Sequence, residues 1–326
     1  MGDVRTSYPR FRRTGAAPRL ELTQDDISIL QRVFRYRFVR AEDLYRLFPD
    51  RTPDRLSRRL TQLYRARFLD RPVSQIDYFR GAGSQSLVYG LDTAGARFLA
   101  EECGLSVGSG DWKSRNRSYT RDNLDHTLAV SRFLIDLELA CADRPGLTYI
   151  PFEDIRDAAP KQTREASRPD RWAVTMRSAT TTASVHIIPD AIFGLRAIGE
   201  DGRAAKSHAF LEIDRGTMTV VPAASIRESE AFLFRSTILR KLLAYAESYR
   251  RELHKAHLGI PSARVLFLTT SNARAEAMRA AAEQFVLRPL KLPAGLFLFG
   301  AQEEDGNPLD LAYRNMAGAA AGLLTR

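Results

Sequence analysis

Three acids and one lysine are spaced so that they could hold a divalent cation against a phosphodiester. The run Phe210-Leu211-Glu212-Ile213-Asp214-Arg215-Gly216-Thr217 alternates as a strand does. Glu212 and Asp214 therefore project to one face, and Leu211 and Ile213 project the other way into a core. A hairpin's length upstream, Ile187-Ile188-Pro189-Asp190-Ala191-Ile192-Phe193 carries a third acid among apolar neighbours. Downstream, Lys241 and Tyr245 stand four apart on one face of a helical stretch. Asp190, Glu212 and Asp214 are the candidate ligands for Mg2+ or Mn2+, both of which favour oxygen donors. Such a metal would polarise a scissile phosphate and lower the pKa of a bound water. Lys241 would orient that water or offset charge, and Tyr245 would hold a phosphate oxygen or the lysine. The plainer alternative is a solvated acidic face on which Lys241 pairs with Glu212 as an ordinary ion pair.

Other titratable residues compete for places near these. His186 shares strand parity with Asp190, and His208 with Glu212. His126 opens a long helix on which Asp136 and Glu138 follow. Strand histidines are more often packed or surface residues than ligands. No nucleophilic triad, phosphate-cradling glycine loop or cysteine-based zinc spacing is present.

A second constellation lies in the first third of the chain. Between Arg51 and Arg71 there are seven arginines and two acids. Leu56, Leu60 and Leu63 form one stripe of a helix that Thr52-Pro53 opens, N-cap followed by proline at the first helical position. Arg55, Arg58, Arg59, Gln62 and Arg65 form the opposite stripe. An arginine-faced helix, third in a tri-helical unit, suits a DNA major groove, where arginine grips guanine and glutamine reads adenine. Two earlier helices are expected, one capped by Thr23 and one over about Ala41–Phe48. Strand-like runs Val73–Phe79 and Ser86–Leu91 follow, with Arg80 at the tip of the hairpin between them. A short helix over Ala96–Glu102 closes this unit, which reads as a winged helix-turn-helix.

Charge agrees with this division. The net charge is +10. Through Arg121 there are 23 Lys and Arg against 14 Asp and Glu, and thereafter 26 against 25. A basic first third on a nearly neutral body suits a nucleic-acid module joined to another domain. The expected organisation is a basic flexible arm (1–21), a winged helix (22–103), a basic linker (104–121) and an α/β domain (122–326). With only Cys103 and Cys141, a disulfide framework is not expected, and a reducing cytoplasm fits. No apolar run approaches the length of a membrane span.

In the last domain a long helix is expected over Asp122–Ala142, with strands at Leu147–Phe152, Trp172–Met176, Val185–Leu195 and Ala209–Arg215. A second long helix is expected over Ser225–His254, then strand Arg264–Thr269, helix Ala273–Gln284, strand Leu296–Phe299 and a final helix near Leu309–Leu324. That order gives an α+β or α/β sandwich with a mixed sheet.

The αβββαβ layout, with Pro189-Asp190 on one strand and Glu212-x-Asp214 on the next, resembles the PD-(D/E)xK nuclease superfamily. Over nearly its whole length the chain resembles the replication-relaxation family. The marks are Leu22-Thr23 with Asp26, Pro189-Asp190, Leu211 to Thr217, and Lys241-Leu242 with Tyr245. The resemblance implies a DNA-binding protein of plasmid or mobile-element replication and DNA relaxation, with a nuclease-like second domain. The lysine that the nuclease pattern places two residues after the glutamate is Asp214 here, so Lys241 would have to supply the ammonium from the helix. Expected partners are double-stranded DNA, a second copy of the chain, and replication or mobilisation proteins. Two readings follow: a metal-dependent nickase, or a non-catalytic initiator or regulator using the second domain for dimerisation or partner contacts. A transcription factor with an effector pocket is a third, opposed by the acidic face, since most effector pockets are mainly apolar.

Overall fold

The computed structural model describes residues 10–13, 15–76, 86–108, 110–177, 181–199, 201–302 and 306–324. The chain is mixed α and β and divides into two compact units, with the division between Ile135 and Asp136. Among the described residues no helix is long and apolar enough to cross a membrane.

The first unit opens with α1 (Gln24–Tyr36), β1 (Phe38–Arg40), α2 (Ala41–Leu47), α3 (Pro53–Arg65) and β2 (Leu69–Asp70). β3 (Val88–Leu91), α4 (Thr93–Cys103), α5 (Trp112–Arg117) and the start of α6 (Arg121–Ala142) follow. Thr23 caps α1 in a capping box, accepting from the Asp26 amide while Asp26 accepts from the Thr23 amide. Leu56, Leu60 and Leu63 bury the inner stripe of α3, as their spacing predicts. The helix ends in a Schellman motif, with Phe68 N–H donating to Leu63 O and Arg67 N–H to Tyr64 O. Arg67 takes the left-handed conformation that glycine usually supplies there, at φ 66°.

β3 pairs antiparallel with both β1 and β2. Among the described residues the strand expected over Val73–Phe79 does not form: Val73–Gln75 is a 3-10 turn following Pro72, and residues 77–79 lie outside the described residues. The Gln75 side-chain amide takes the missing strand's place, donating to Val88 O and accepting from Val88 N–H, both at 2.9 Å. The expected wing tip with Arg80 lies outside the described residues.

The segments expected as a flexible arm and a linker are packed in part. Within 1–21, Arg13 bonds Asp92, Asp70 and the Leu69 carbonyl, and its guanidinium covers the Tyr64 ring at 4.3 Å. Within 104–121, Asn116 is fully buried and donates to Asp70 and to Leu91 O. Arg37 lies over the rings of Phe38, Trp112 and Tyr119. The first unit therefore extends well past residue 103.

The second unit holds a seven-stranded mixed sheet in the order β12-β11-β10-β9-β8-β7-β4, plus a separate β5–β6 hairpin. The strands are β4 (Leu147–Ile150), β5 (Trp172–Arg177), β6 (Thr182–Ile187), β7 (Ala191–Ile198), β8 (Ala204–Ile213), β9 (Arg264–Thr269), β10 (Phe297–Ala301), β11 (Tyr313–Asn315) and β12 (Ala320–Ala321). β8–β9 and β9–β10 are parallel, and the remaining pairs are antiparallel. The helices here are α7 (Phe152–Asp157), α8 (Lys161–Arg164), α9 (Ala224–Arg227), α10 (Ala231–Phe234), α11 (Ile238–Arg250), α12 (Leu253–Leu258), α13 (Asn272–Ala282) and α14 (Arg288–Leu290). One core packs Phe210, Val265, Phe267, Phe297 and Phe299 of the sheet with Leu239, Leu242 and Tyr245 of α11 and Met278 and Ala282 of α13.

Three expectations change. The run Val185–Leu195 is two strands of different sheets, parted at Ile188-Pro189-Asp190. The expected helix Ser225–His254 is four, because Thr237 caps a new start, accepting from Arg240 N–H, and Glu252 turns left-handed at φ 51°. The expected helix near Leu309–Leu324 is instead the β11–β12 hairpin. Its alanines favour a helix, but Asn315 accepts from the Ala317 and Ala319 amides and Gly318 turns at φ 84°.

Candidate functional site

Glu212 sits one residue from the end of β8, opposite Phe267 of β9, and is 3% exposed. Its neighbours Leu211 and Ile213 are buried too, on the other face. A lone buried carboxylate is costly, and α11 supplies what offsets that cost. Lys241 Nζ donates to Oε2 in a close ion pair, and the Tyr245 hydroxyl donates to Oε1 at 2.6 Å. The four-residue spacing does bring both groups to one point. The tyrosine ring stacks on Phe210 at 5.9 Å, which fixes its direction.

Burial pushes the Glu212 carboxyl above its ordinary range, with Lys241 pulling it down and Asp190 pushing it further up. Burial opposes the Lys241 charge as well, but Glu212 and Asp190 outweigh it and hold the ammonium above the usual lysine value. Burial and the adjacent carboxylate keep Tyr245 protonated as a donor. Asp190 is anchored separately. Its Oδ2 accepts from Ile213 N–H at 2.7 Å, and its own amide donates to Leu211 O.

Asp214 does not join Glu212. Arg274, in the first turn of α13, clamps it with two bonds of 2.5 and 2.9 Å. Thr269 Oγ1 and Gly216 N–H also donate to it. Burial alone would raise the Asp214 pKa, but these donors outweigh it and hold the carboxyl below its ordinary value. Among the described residues no group of three or more His, Cys, Asp or Glu side chains is arranged to hold a metal. Of the three carboxylates expected for Mg2+ or Mn2+, Asp214 is engaged by a guanidinium, and both Glu212 oxygens by an ammonium and a phenol. Tyr245 faces Glu212 rather than holding the lysine.

A cavity of about 190 Å3 opens beside Glu212, lined also by His186, Ile187, Ile188, Arg240, Lys241, Ala244 and Tyr245. His186 is exposed at this cavity, whereas His208 is half-buried, with its pKa lowered chiefly by burial. His126, Asp136 and Glu138 lie on α6 and do not line it.

Sequence reasoning missed Arg274, Thr269 and Arg240, yet a signal existed for the two arginines. Each stands third in its helix, after the N-caps Thr237 and Ser271, where the helix dipole disfavours a cation. A cation in that position asks for a nearby carboxylate, and the end of β8 provides two.

On α3 the candidate reading residues separate. Arg55, Arg58 and Gln62 are exposed, and Arg65 is half-buried. Arg59 is engaged within the unit, bonding both oxygens of the fully buried Asp26 and the Glu21 carbonyl. A family model described as Replication-relaxation matches residues 30–262, from the middle of α1 to the threshold of β9. The chain belongs to the replication-relaxation family. No curated protein and no solved structure matches it. The matched span of this replication-relaxation protein contains α3, Asp190, Glu212, Lys241 and Tyr245 but stops short of Thr269 and Arg274.

Proposed function

We propose that this replication-relaxation protein is a cytoplasmic, DNA-binding protein of plasmid or mobile-element replication or mobilisation. Its first unit would bind duplex DNA as a winged helix, with α3 in the major groove. Its second unit, a PD-(D/E)xK-like sandwich, would serve self-association or partner contacts without cutting DNA. The supporting observation for binding is the α3 face on which Arg55, Arg58 and Gln62 are exposed opposite three buried leucines. Against cleavage stands the closed arrangement in which Lys241 and Tyr245 hold Glu212 and Arg274 holds Asp214.

One observation favours a metal-dependent nickase as the second reading: Asp190 is close enough to act electrostatically on both Glu212 and Lys241. Supercoiled plasmid incubated with Mg2+ or Mn2+ and wild type, Asp190→Ala or Glu212→Gln separates the two. Duplex binding by all three proteins without nicking is expected. Nicking by wild type that both substitutions abolish would establish the nickase instead.

A further inference from the structure

We propose that residues 10–13 and 15–18, folded against the C-terminal end of α3, form a cleft that grips backbone phosphates of duplex DNA. This rests on the DNA-binding reading above and adds a second contact surface to it. The cleft has a volume of about 310 Å3, and Arg10, Arg12, Arg13, Arg65, Arg67 and Arg71 line it with no carboxylate among the lining residues. A favourable helix dipole explains one cation at the end of α3, not six guanidinium groups around one concavity.

The six divide by role. Arg13 is a strut, tied to Asp70 and Asp92. Arg71, 6% exposed, is another, donating to the Arg10 carbonyl, Thr61 and the Tyr89 hydroxyl. Together they hold the N-terminal segment down and build a wall. Both still carry a buried Nε–H with no hydrogen-bond partner, an arrangement that buried donors rarely tolerate. Arg10, Arg12 and Arg67 are the exposed members, and Arg65 is half-buried. Arg67 occupies the left-handed position after α3, where glycine would fit without strain, so an arginine is kept there against backbone preference. Guanidinium forks match phosphate oxygens in geometry as well as charge. The same α3 carries Arg55 and Arg58 nearer its start, so one duplex can meet base-reading and phosphate-holding groups along a single helix.

The test uses the full chain and a duplex of about 30 base pairs, a length sufficient for several turns of the groove. Affinity is followed across a salt series for wild type, Arg12→Ala/Arg67→Ala and Arg55→Ala/Arg58→Ala, each checked for an unchanged melting curve. Losing Arg12 and Arg67 should lower the slope of log K against log salt by about 2, equally on unrelated sequences. Wild-type slope and affinity in that variant, with weakened binding in Arg55→Ala/Arg58→Ala, would overturn the cleft and leave the α3 reading intact. A wild type without duplex affinity would overturn both. Pyrophosphate is the small-anion arm. If it raises the melting temperature of wild type but not of Arg12→Ala/Arg67→Ala, while duplex binding is equal in the two, the cleft holds free anions and the DNA assignment is overturned.

Discussion

Tyr245 donates its hydroxyl to one oxygen of Glu212 while Lys241 occupies the other, so a carboxylate buried at the end of β8 is satisfied on both sides. Tyr245→Phe removes one donor and keeps the ring stacked on Phe210. It should destabilise the second unit by about 1–3 kcal/mol, the cost of a buried group left short of a hydrogen bond. Urea unfolding followed by tryptophan fluorescence would report it, because Trp172 is bonded to Ser248 of the same helix. A stability equal to wild type would show that the contact contributes nothing.

Glu212→Ala leaves the Lys241 ammonium without its partner in a mostly buried position, and a loss of about 3 kcal/mol is expected. Glu212→Ala/Lys241→Met should recover part of that loss, since the apolar side chain removes the stranded charge. A double variant less stable than Glu212→Ala would contradict the pairing.

The Asp214 clamp has a pH signature. Its carboxyl lies below the ordinary value of 3.8 in the fold, chiefly because the Arg274 bonds outweigh burial. The folded state therefore binds fewer protons at this site than the unfolded state between the lowered value and 3.8. Stability from the clamp is complete above the ordinary value and is lost as pH falls through the lowered one. Asp214→Asn should flatten the acid limb of a stability–pH curve measured from pH 5 downward. An unchanged limb would mean that other carboxylates govern acid unfolding.

Arg58 and Arg59 are neighbours with opposite expected phenotypes. Arg58→Ala should leave the melting temperature unchanged and lower the salt slope of duplex binding by about 1. Arg59→Ala strands the fully buried Asp26 at the start of α1 and should cost about 3 kcal/mol of stability. Thermal melting and a binding isotherm on both proteins check this, and equal melting temperatures would show that Arg59 carries no structural load.

The leucine stripe of α3, the Thr23 cap and the strand through Phe210 to Ile213 are all legible in the sequence, because local periodicity and capping chemistry decide them. The Glu212–Lys241 pair is legible as well, since alternation on a strand and a four-residue helix step each fix a direction. The destination of Asp214 is not. Strand parity places it beside Glu212, but its partners come from β9 and α13, and no local pattern announces a contact across sixty positions of chain. Gln75 is a similar case, where a side-chain amide imitates a strand that composition promised. The arginine stripe of α3 misleads in its own way. Charge periodicity cannot tell an arginine facing solvent from one turned back onto a helix start.

The parallel pairing of β8 with β9 has a kinetic consequence. Residues 214–263 must travel around and return before the two central strands can meet, and that excursion carries α11 with both partners of Glu212. Antiparallel β7–β8 can zip from its own turn, whereas the β8–β9 seam waits for a long loop to close. Assembly of the second unit should therefore be governed by slow, non-local docking, with the buried carboxylate capturing its ammonium and phenol in the same late event that joins the sheet's two halves.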